Sequence, residues 1–377
     1  MVIGFDAKYM LDDKGGLGHY GRLSLEALTE HCQRNDYILY TPDTHDGTTG
    51  INKLLVHASI HLKTPHSTSF SDKWRTGKGI LKDAHRHGAQ VFHGLSGMLP
   101  EGIEDSGMAT VVTIGSLLHK RYSGDFSFFE KMRINRQLKA TLKRADAVVA
   151  MSEFSKREIM EHYGVADEKI RVIMPVCESH FSKELSEQVM EVHRANYVLP
   201  EKYILASGNF DERHNLTKVV EALAKIDDKD VCMVIVGHRN SYYEKLKQLA
   251  SHLGVSGRIM RIKKVHESDL PAVYKMASVV VCPSRYECAS LSIPRAFKAE
   301  VPVVAATGSC MEEYGGDAAL YFSPDSADEL ADALNRALGA EREALLEAEK
   351  VQAEKFASAR LANQLNELYR ELKDNLK

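Results

Sequence analysis

The chain has 377 residues, of which 44% are hydrophobic and 27% are charged, and its formal net charge is −3. This length exceeds what one hydrophobic core usually fills, so two domains are expected, and the small negative charge argues against nucleic-acid binding through a general basic field. No apolar run approaches the roughly 20 residues that span a bilayer, and Met1 leads directly into the strand-like residues 2–5, which predicts no signal peptide.

The predicted elements alternate between short apolar runs and segments of helical periodicity. In the first half, strands are predicted at residues 2–5, 37–40, 90–92, 110–114, 147–150 and 169–173, with helices at 20–32, 128–145 and 155–163. Residues 175–200 show no clear strand and are interpreted as a connector. In the second half, strands are predicted at 203–206, 232–236, 258–262, 279–282, 303–306 and 319–322, with helices at 216–223, 242–253, 270–276 and 293–298. Helices are predicted for the tail, and the alternation indicates two doubly wound α/β domains with parallel sheets.

Cysteine and histidine spacing bears on disulfides and metals. The six cysteines form no framework and no C-x-x-C pair, which is typical of reduced thiols in a cytoplasmic protein. The 17 histidines include no H-E-x-x-H sequence and none pairs with cysteines at zinc spacing. We therefore expect no metal site.

Three clusters at predicted strand-to-helix junctions could carry chemistry, because doubly wound sheets bind ligands outside the carboxyl ends of their strands. Residues 14–20 are glycine-rich without the G-x-G-x-x-G spacing, and they fit either a ligand-approaching loop or a tight turn. In residues 282–291, Glu287 could accept hydrogen bonds from sugar hydroxyls, or it could be a solvated surface residue. In residues 208–216, Arg213 could grip phosphate, or it could form a surface ion pair in a capping loop.

Together these clusters resemble glycosyltransferase family 4, whose members are retaining enzymes of the GT-B fold. The resemblance spans nearly the whole chain, through residues 15–20, 111–114, 144–156, 211–223, 283–287, 301–304 and 312–319. It implies two Rossmann-like domains that face each other across a cleft. Residues 1–175 would form the acceptor-side domain, with a C-terminal helix at about 358–377 packing back on it. Residues 176–200 would be a linker, and residues 201–357 the domain that binds the nucleotide-sugar donor.

The resemblance also implies roles for individual residues. Glu287 would contact the donor sugar, while backbone N–H groups near Ser290 and Leu291 would hold the diphosphate. Gly16 would pass close to the phosphates, and Arg213 would lie in the phosphate-gripping loop. The nucleotide base would lie against the backbone of three residues, Ile262, Lys263 and Lys264. The acceptor side would comprise Gly18, His19, Tyr20, Gly115 and Ser116.

Five positions depart from the family pattern. Gly115 and Ser116 stand where the family has His-Asp, and that histidine ordinarily bonds the transferred sugar. Asn209 and His214 replace the two basic residues that grip the diphosphate. Arg295 replaces a second glutamate that normally binds the ribose, and it could substitute as a phosphate clamp. A small shift in alignment would instead make His119 the candidate for the missing imidazole.

Two functional hypotheses follow from these departures. The first is an active enzyme that transfers a sugar, with retention, from a UDP- or GDP-linked donor to a glycan, lipid-linked or other acceptor. The second is a catalytically impaired pseudoenzyme that acts as a binding or regulatory subunit. Neither requires a cofactor or metal beyond the donor, and the sequence specifies neither the sugar nor the oligomeric state.

The predicted helix at residues 128–145 is rich in basic side chains at helical spacing. These residues could touch an anionic surface, which would make the protein peripheral at the inner membrane face, although a solvated helix face is the more common explanation. The residues concerned are Lys131, Arg133, Arg136, Lys139, Lys143 and Arg144.

Overall fold

The computed structural model describes residues 1–11, 15–42, 52–65, 71–207 and 210–376. The chain divides into two compact units, Met1–Val176 with Ala357–Lys377, and Cys177–Phe356. Within the described ranges, no helix is long and apolar enough to cross a membrane.

A seven-stranded parallel sheet forms the centre of the first unit, in the order β3-β2-β1-β4-β5-β6-β7. Its strands are β1 (Val2–Asp6), β2 (Asp36–Tyr40), β3 (Ile60–Lys63), β4 (Val91–Gly94), β5 (Ala109–Ile114), β6 (Ala147–Ala150) and β7 (Ile170–Val172). All residues of β4, β5 and β6 are buried, because helices cover both faces of the sheet. These strands therefore appear in the sequence as continuous apolar runs.

The helices of the first unit connect these strands. They are α1 (Lys8–Leu11), α2 (Gly15–His31), α3 (Asn52–Leu55), α4 (Ser71–Thr76), α5 (Lys78–Arg86), α6 (Leu118–Arg121), α7 (Phe128–Arg144) and α8 (Glu153–Tyr163). The last helix of the chain, which we number α17 (Ser358–Asp374), packs against α2 and β5. Its Tyr369 hydroxyl lies 2.7 Å from Nδ1 of the buried His93.

A six-stranded parallel sheet forms the centre of the second unit, in the order β10-β9-β8-β11-β12-β13. Its strands are β8 (Tyr203–Ser207), β9 (Cys232–Val236), β10 (Ile259–Ile262), β11 (Val279–Cys282), β12 (Val303–Ala306) and β13 (Ala319–Phe322). Its helices are α9 (Glu187–Tyr197), α10 (Leu216–Lys225), α11 (Ser241–His252), α12 (Leu270–Lys275), α13 (Ser292–Ala299), α14 (Met311–Gly315), α15 (Ala327–Leu338) and α16 (Arg342–Gln352).

Both sheets have the strand order of a doubly wound fold, which confirms the predicted α/β class. The order reverses between β1 and β4 in the first sheet and between β8 and β11 in the second. Ligands of such sheets bind outside the carboxyl ends of the strands at this point. In the second unit, this point lies at the loops after β8 and β11.

Several segments differ from the sequence-based expectation, and strand β3 and helices α3, α4 and α5 were not predicted at all. Residues 187–197, within the expected linker, form helix α9 of the second unit, which Ser186 caps by accepting a hydrogen bond from Val189 N–H at 3.4 Å. The glycine cluster lies inside α2, since this helix begins at Gly15 and not at residue 20. Glycine is a poor helix former, so propensity alone places this boundary too late.

Candidate functional site

The loops that follow β8 and β11 meet at the reversal point of the second sheet. The backbone N–H of Arg285 donates to the carbonyl of Arg213 at 2.9 Å, which fastens one loop to the other. Arg213 Nη1 donates to Glu287 Oε1 at 2.7 Å and to the Tyr286 carbonyl at 2.9 Å. The Arg213 and Glu287 side chains are 16% and 23% exposed, so the pair is accessible at its edge.

His214 extends this pair into a chain of hydrogen bonds. Its Nδ1 lies 2.6 Å from Asp211 Oδ1, and its Nε2 lies 2.9 Å from Arg213 Nη2. Because a guanidinium can only donate, Nε2 accepts in the contact with Arg213, which leaves Nδ1 to donate to Asp211. Burial raises the pKa of Asp211, but hydrogen bonds from His214 outweigh it and leave that pKa below its ordinary value.

Local packing determines where Glu287 lies. Tyr286 and Cys288 on either side are 2% and 4% exposed, and the Cys288 thiol donates to the Tyr286 hydroxyl at 3.2 Å. The Cys310 N–H donates to the Glu287 carbonyl at 3.4 Å. With both neighbours buried and its backbone bonded, Glu287 is the residue of this loop that turns its side chain toward Arg213.

The start of α13 follows this loop directly. Ser290 is buried, Leu291 is the cap residue, and Pro294 lies in the first turn. The first N–H groups of a helix have no intrahelical acceptor, and the helix dipole adds positive potential there. This end of α13 has the character of an anion site.

Three further predicted donor residues lie at the edge of the second sheet. Ile262 ends β10, and its carbonyl accepts a hydrogen bond from Gly237 N–H at 2.9 Å. Lys263 and Lys264 follow it and are exposed. Since β9 separates β10 from β8, these residues leave the sheet two strands away from the Arg213–Glu287 pair.

Arg295 has a partner that the sequence did not indicate. Its Nε lies 3.1 Å from both carboxylate oxygens of Glu178, Nη2 also donates to Oε1, and the guanidinium lies 5.6 Å from the Phe181 ring centroid. The two side chains are 17% and 4% exposed. Burial lowers the pKa of Arg295, but the hydrogen bonds and charge of Glu178 outweigh it and raise that pKa. The structure thus shows a competing use for the expected phosphate clamp, and the clamp role stays a prediction.

In the first unit, the glycines predicted to approach a ligand lie on α2. A Cβ on Gly18 would be 2.1 Å from the Tyr9 carbonyl oxygen of α1, so this glycine permits close helix packing. A Cβ on Gly16 would meet no atom of the described residues within 4 Å. Of these two glycines, Gly18 is the one for which the described residues give a packing reason.

Two neighbours on α2 were also predicted on the acceptor side. Tyr20 is 1% exposed, and its hydroxyl donates to the Ile173 carbonyl at 3.4 Å, which indicates a packing role. His19 is half-buried, with Nδ1 lying 3.3 Å from Arg22 Nη2.

Gly115 and Ser116 follow β5. A Cβ on Gly115 would lie 2.5 Å from Leu17 Cγ, so the Leu17 side chain fills the space beside this position. Ser116 is exposed, and its hydroxyl accepts a hydrogen bond from Leu118 N–H at 3.2 Å.

His119 is held inside the first unit. It is 5% exposed, with Nε2 lying 2.8 Å from the Tyr163 hydroxyl and 3.3 Å from Asn135 Oδ1. Burial lowers its pKa. These partners give the imidazole a structural use, and its role as the missing catalytic imidazole remains a prediction. Asn209, also predicted at the site, lies outside the described residues.

Sequence reasoning missed three residues that shape these positions: Asp211, Glu178 and Leu17. The spacing of Asp211 three residues before His214 is a capping pattern that could have been found. Nothing in the sequence marks Glu178 or Leu17, because their partners lie far along the chain.

Solved structures with the same architecture define the class. A glycosyltransferase from Rickettsia africae superposes with a TM-score of 0.78 over 99% of both chains at 18% identity. Anabaena Alr3699/HepE in complex with UDP and glucose gives a TM-score of 0.75 over 98% of this chain and 99% of that one, at 16% identity. At such identities the likeness establishes the fold, which is GT-B.

Family models then identify the family. The model described as "Glycosyl transferases group 1" matches residues 190–354, and that described as "Glycosyltransferase Family 4" matches residues 15–176. The chain therefore belongs to glycosyltransferase family 4, the group 1 glycosyltransferases, as its motifs predicted.

Curated relatives match over part of their length. O-antigen chain mannosyltransferase B of Escherichia coli is 24% identical over 242 residues, covering 63% of this chain and 62% of the relative. D-inositol 3-phosphate glycosyltransferase of Corynebacterium aurimucosum is 27% identical over 238 residues, covering 60% and 56%. The chain therefore matches about three fifths of the length of these relatives.

Proposed function

We propose that the protein transfers a sugar, with retention of anomeric configuration, from a UDP- or GDP-linked donor to a glycan or lipid-linked acceptor during cell-surface polysaccharide or glycoconjugate synthesis. The observation that carries the proposal is the Arg213–Glu287 pair beside the start of α13, at the reversal point of the second sheet. This position combines a fixed carboxylate with an anion-binding helix end.

Glu287 would orient the donor sugar. Its Oε1 accepts from Arg213 at 2.7 Å, which restrains the carboxylate. A carboxylate offers about four lone-pair sites, so others can accept from sugar hydroxyls. Arg213 would thereby act as a positioning residue for Glu287.

The diphosphate would lie against the start of α13. Backbone N–H groups near Ser290 and Leu291 and the dipole of this helix favour an anion there. Negative charge that develops on the leaving diphosphate would be stabilised by the same groups. In this proposal the donor needs no divalent cation.

The names of similar proteins guide the choice of donors to test. Anabaena HepE was solved with UDP and glucose, and the E. coli relative is described as a mannosyltransferase. UDP-glucose and nucleotide-linked mannose therefore belong at the head of a donor panel.

Two observations favour the second candidate, an impaired binding or regulatory subunit. Leu17 fills the space beside Gly115, where the family has its histidine, and Arg295 is bound to Glu178. Removing one electrostatic stabiliser typically costs about 10²–10³ in rate, so several unreplaced losses would leave binding without turnover.

A panel of UDP- and GDP-sugars separates the candidates through two readouts, donor binding and slow donor hydrolysis. The enzyme candidate predicts both, and Glu287→Ala should lower hydrolysis by about 10²-fold or more with the fold intact. Glu343→Ala, at an exposed glutamate of α16, is the matched control and should leave hydrolysis intact.

Three other results would count against the enzyme candidate or its site. Binding without hydrolysis would favour the second candidate. Binding of no donor at all would remove the first, and unchanged hydrolysis in Glu287→Ala would exclude Glu287 from the site.

A further inference from the structure

Helix α7 begins with large apolar side chains that face solvent. Ser127 caps the helix: its hydroxyl accepts from Glu130 N–H at 3.3 Å, and Glu130 Oε2 accepts from Ser127 N–H at 2.9 Å. This capping box places Phe128 and Phe129 at the first two helical positions, where they are 70% and 74% exposed. Met132, one turn on, is 55% exposed. These three side chains are therefore not part of the hydrophobic core of the first unit.

The helical period continues this apolar cluster into a basic stripe. Four exposed basic residues lie on the same side of α7 as the apolar cluster: Arg133, Arg136, Lys139 and Lys143. The opposite side holds Leu138 and Leu142, which pack on the core of the first unit. The outward face of α7 is thus apolar at its start and cationic along its length.

Acidic side chains do not offset this charge along the helix. Glu130 is the only carboxylate among residues 128–144, and it is engaged by the Ser127 cap. Ser127 hydrogen bonds lower the Glu130 pKa, so the carboxylate stays ionised at its cap. Glu130 also acts on Arg133 through its charge, so the outward face of α7 carries four basic residues against this one carboxylate of the helix and remains positive.

We propose that this outward face of α7 docks on an anionic lipid bilayer surface. Phe128, Phe129 and Met132 would enter the interface, and the basic stripe would lie against lipid phosphates. An amphipathic helix with aromatic and basic residues on one face binds such surfaces through apolar burial and charge together. The charge complementarity favours lipid over a second copy of this chain, which would bring a like-charged stripe.

The position of α7 in the first sheet is consistent with this docking. The helix lies between the carboxyl end of β5 and the start of β6, so Phe128 is near the ligand-binding edge of that sheet. A lipid-linked acceptor would then arrive at the edge that faces the bilayer. Vesicle binding does not require glycosyl transfer, so the docking proposal and the proposed function can be tested independently of each other.

Sedimentation with vesicles tests the docking directly. The full chain should bind vesicles of phosphatidylcholine mixed with phosphatidylglycerol more than pure phosphatidylcholine, and added salt should weaken the binding. Phe128→Ser/Phe129→Ser should reduce partitioning onto the vesicles by about tenfold or more, because the variant lacks the two aromatic side chains that would be buried in the lipid interface. Val351→Ser, at a 77% exposed valine of the second unit, is the control and should bind as wild type.

Charge is tested separately with Arg136→Gln/Lys139→Gln, which should lower binding to anionic vesicles and flatten its salt dependence. Absence of binding to anionic vesicles at low salt would overturn the proposal. So would equal binding by the double phenylalanine variant. Self-association that this variant abolishes, without vesicle binding by the wild type, would identify a second copy as the occupant and also overturn it.

Discussion

Arg213 and Arg295 each bind a glutamate in the second unit, and their surroundings differ. The Arg213–Glu287 pair lies at the reversal point of the sheet and is partly exposed on both sides. The Arg295–Glu178 pair is more enclosed, with the carboxylate only 4% exposed and an aromatic ring beneath the guanidinium. The greater exposure of the Glu287 carboxylate fits the donor contact that we propose for it, whereas the enclosed Glu178 carboxylate fits a structural role.

This difference predicts the effect of replacing Arg295. Arg295→Met should lower the free energy of unfolding by about 3 kcal/mol, because it removes a charge partner from the buried Glu178 carboxylate. Arg295→Met/Glu178→Gln should recover much of that loss, since no unpaired charge remains. Urea denaturation measures both. Unchanged stability together with weakened diphosphate binding would instead support the phosphate clamp.

Glu349 is a buried carboxyl on α16 that predicts a pH dependence of stability. It is 2% exposed, and neither oxygen has a hydrogen-bond partner within the described part of the chain. Burial raises its pKa to about 9, although Arg342 opposes this. The folded state holds this proton more tightly than the unfolded state does. The free energy of unfolding should therefore fall as the pH rises from 4.5, the ordinary pKa of a glutamate carboxyl, toward about 9.

Glu349→Gln replaces this carboxyl with an amide that does not titrate. At about pH 8 the variant should be more stable than wild type by about 1–3 kcal/mol, and at about pH 4.5 the two should be nearly equal. Chemical denaturation at the two pH values provides the comparison. If the variant and the wild type differed in unfolding free energy by the same amount at both pH values, the carboxyl would not titrate between these two pH values.

At the scale of elements, the glycines of α2 separate into two kinds. Gly18 meets the backbone of α1, which cannot move aside as a side chain can, whereas a Cβ on Gly16 would meet no atom in the part of the chain that the structure describes. Gly18→Ala should therefore cost about 1–3 kcal/mol of unfolding free energy through overpacking. Gly16→Ala is the matched control and should be neutral or slightly stabilising, because alanine is the better helix former. Similar losses in both variants would show that helix packing is not the reason for Gly18.

Elements differ in how far their sequence predicts them. The buried strands β5, β6 and β11 were located closely because both faces are covered, which leaves an uninterrupted apolar run. Helix α9 was missed, and none of its residues is buried in the core of the second unit. The start of α2 was placed five residues late because glycine is a poor helix former, so propensity argues against a helix at its first residues.

At the scale of the molecule, topology and motif order were predictable, while the partners of the motif residues were not. Alternating strands and helices fix the doubly wound class, and the motifs identified the family. Arg295 and Glu178 are 117 positions apart, and Gly115 and Leu17 meet only in the folded first unit. Contacts of this kind depend on how loops close, so no local pattern reports them.

We propose that a nucleotide sugar binds where the loops after β8 and β11 meet. Hydrogen–deuterium exchange of the full chain, with and without saturating UDP- and GDP-sugars, tests it most directly. We predict slower exchange in residues 210–215 and 283–293, because the ligand covers the first loop and engages the N–H groups at the start of α13. Exchange unchanged by every donor, or slowed only outside these two segments, would contradict the account.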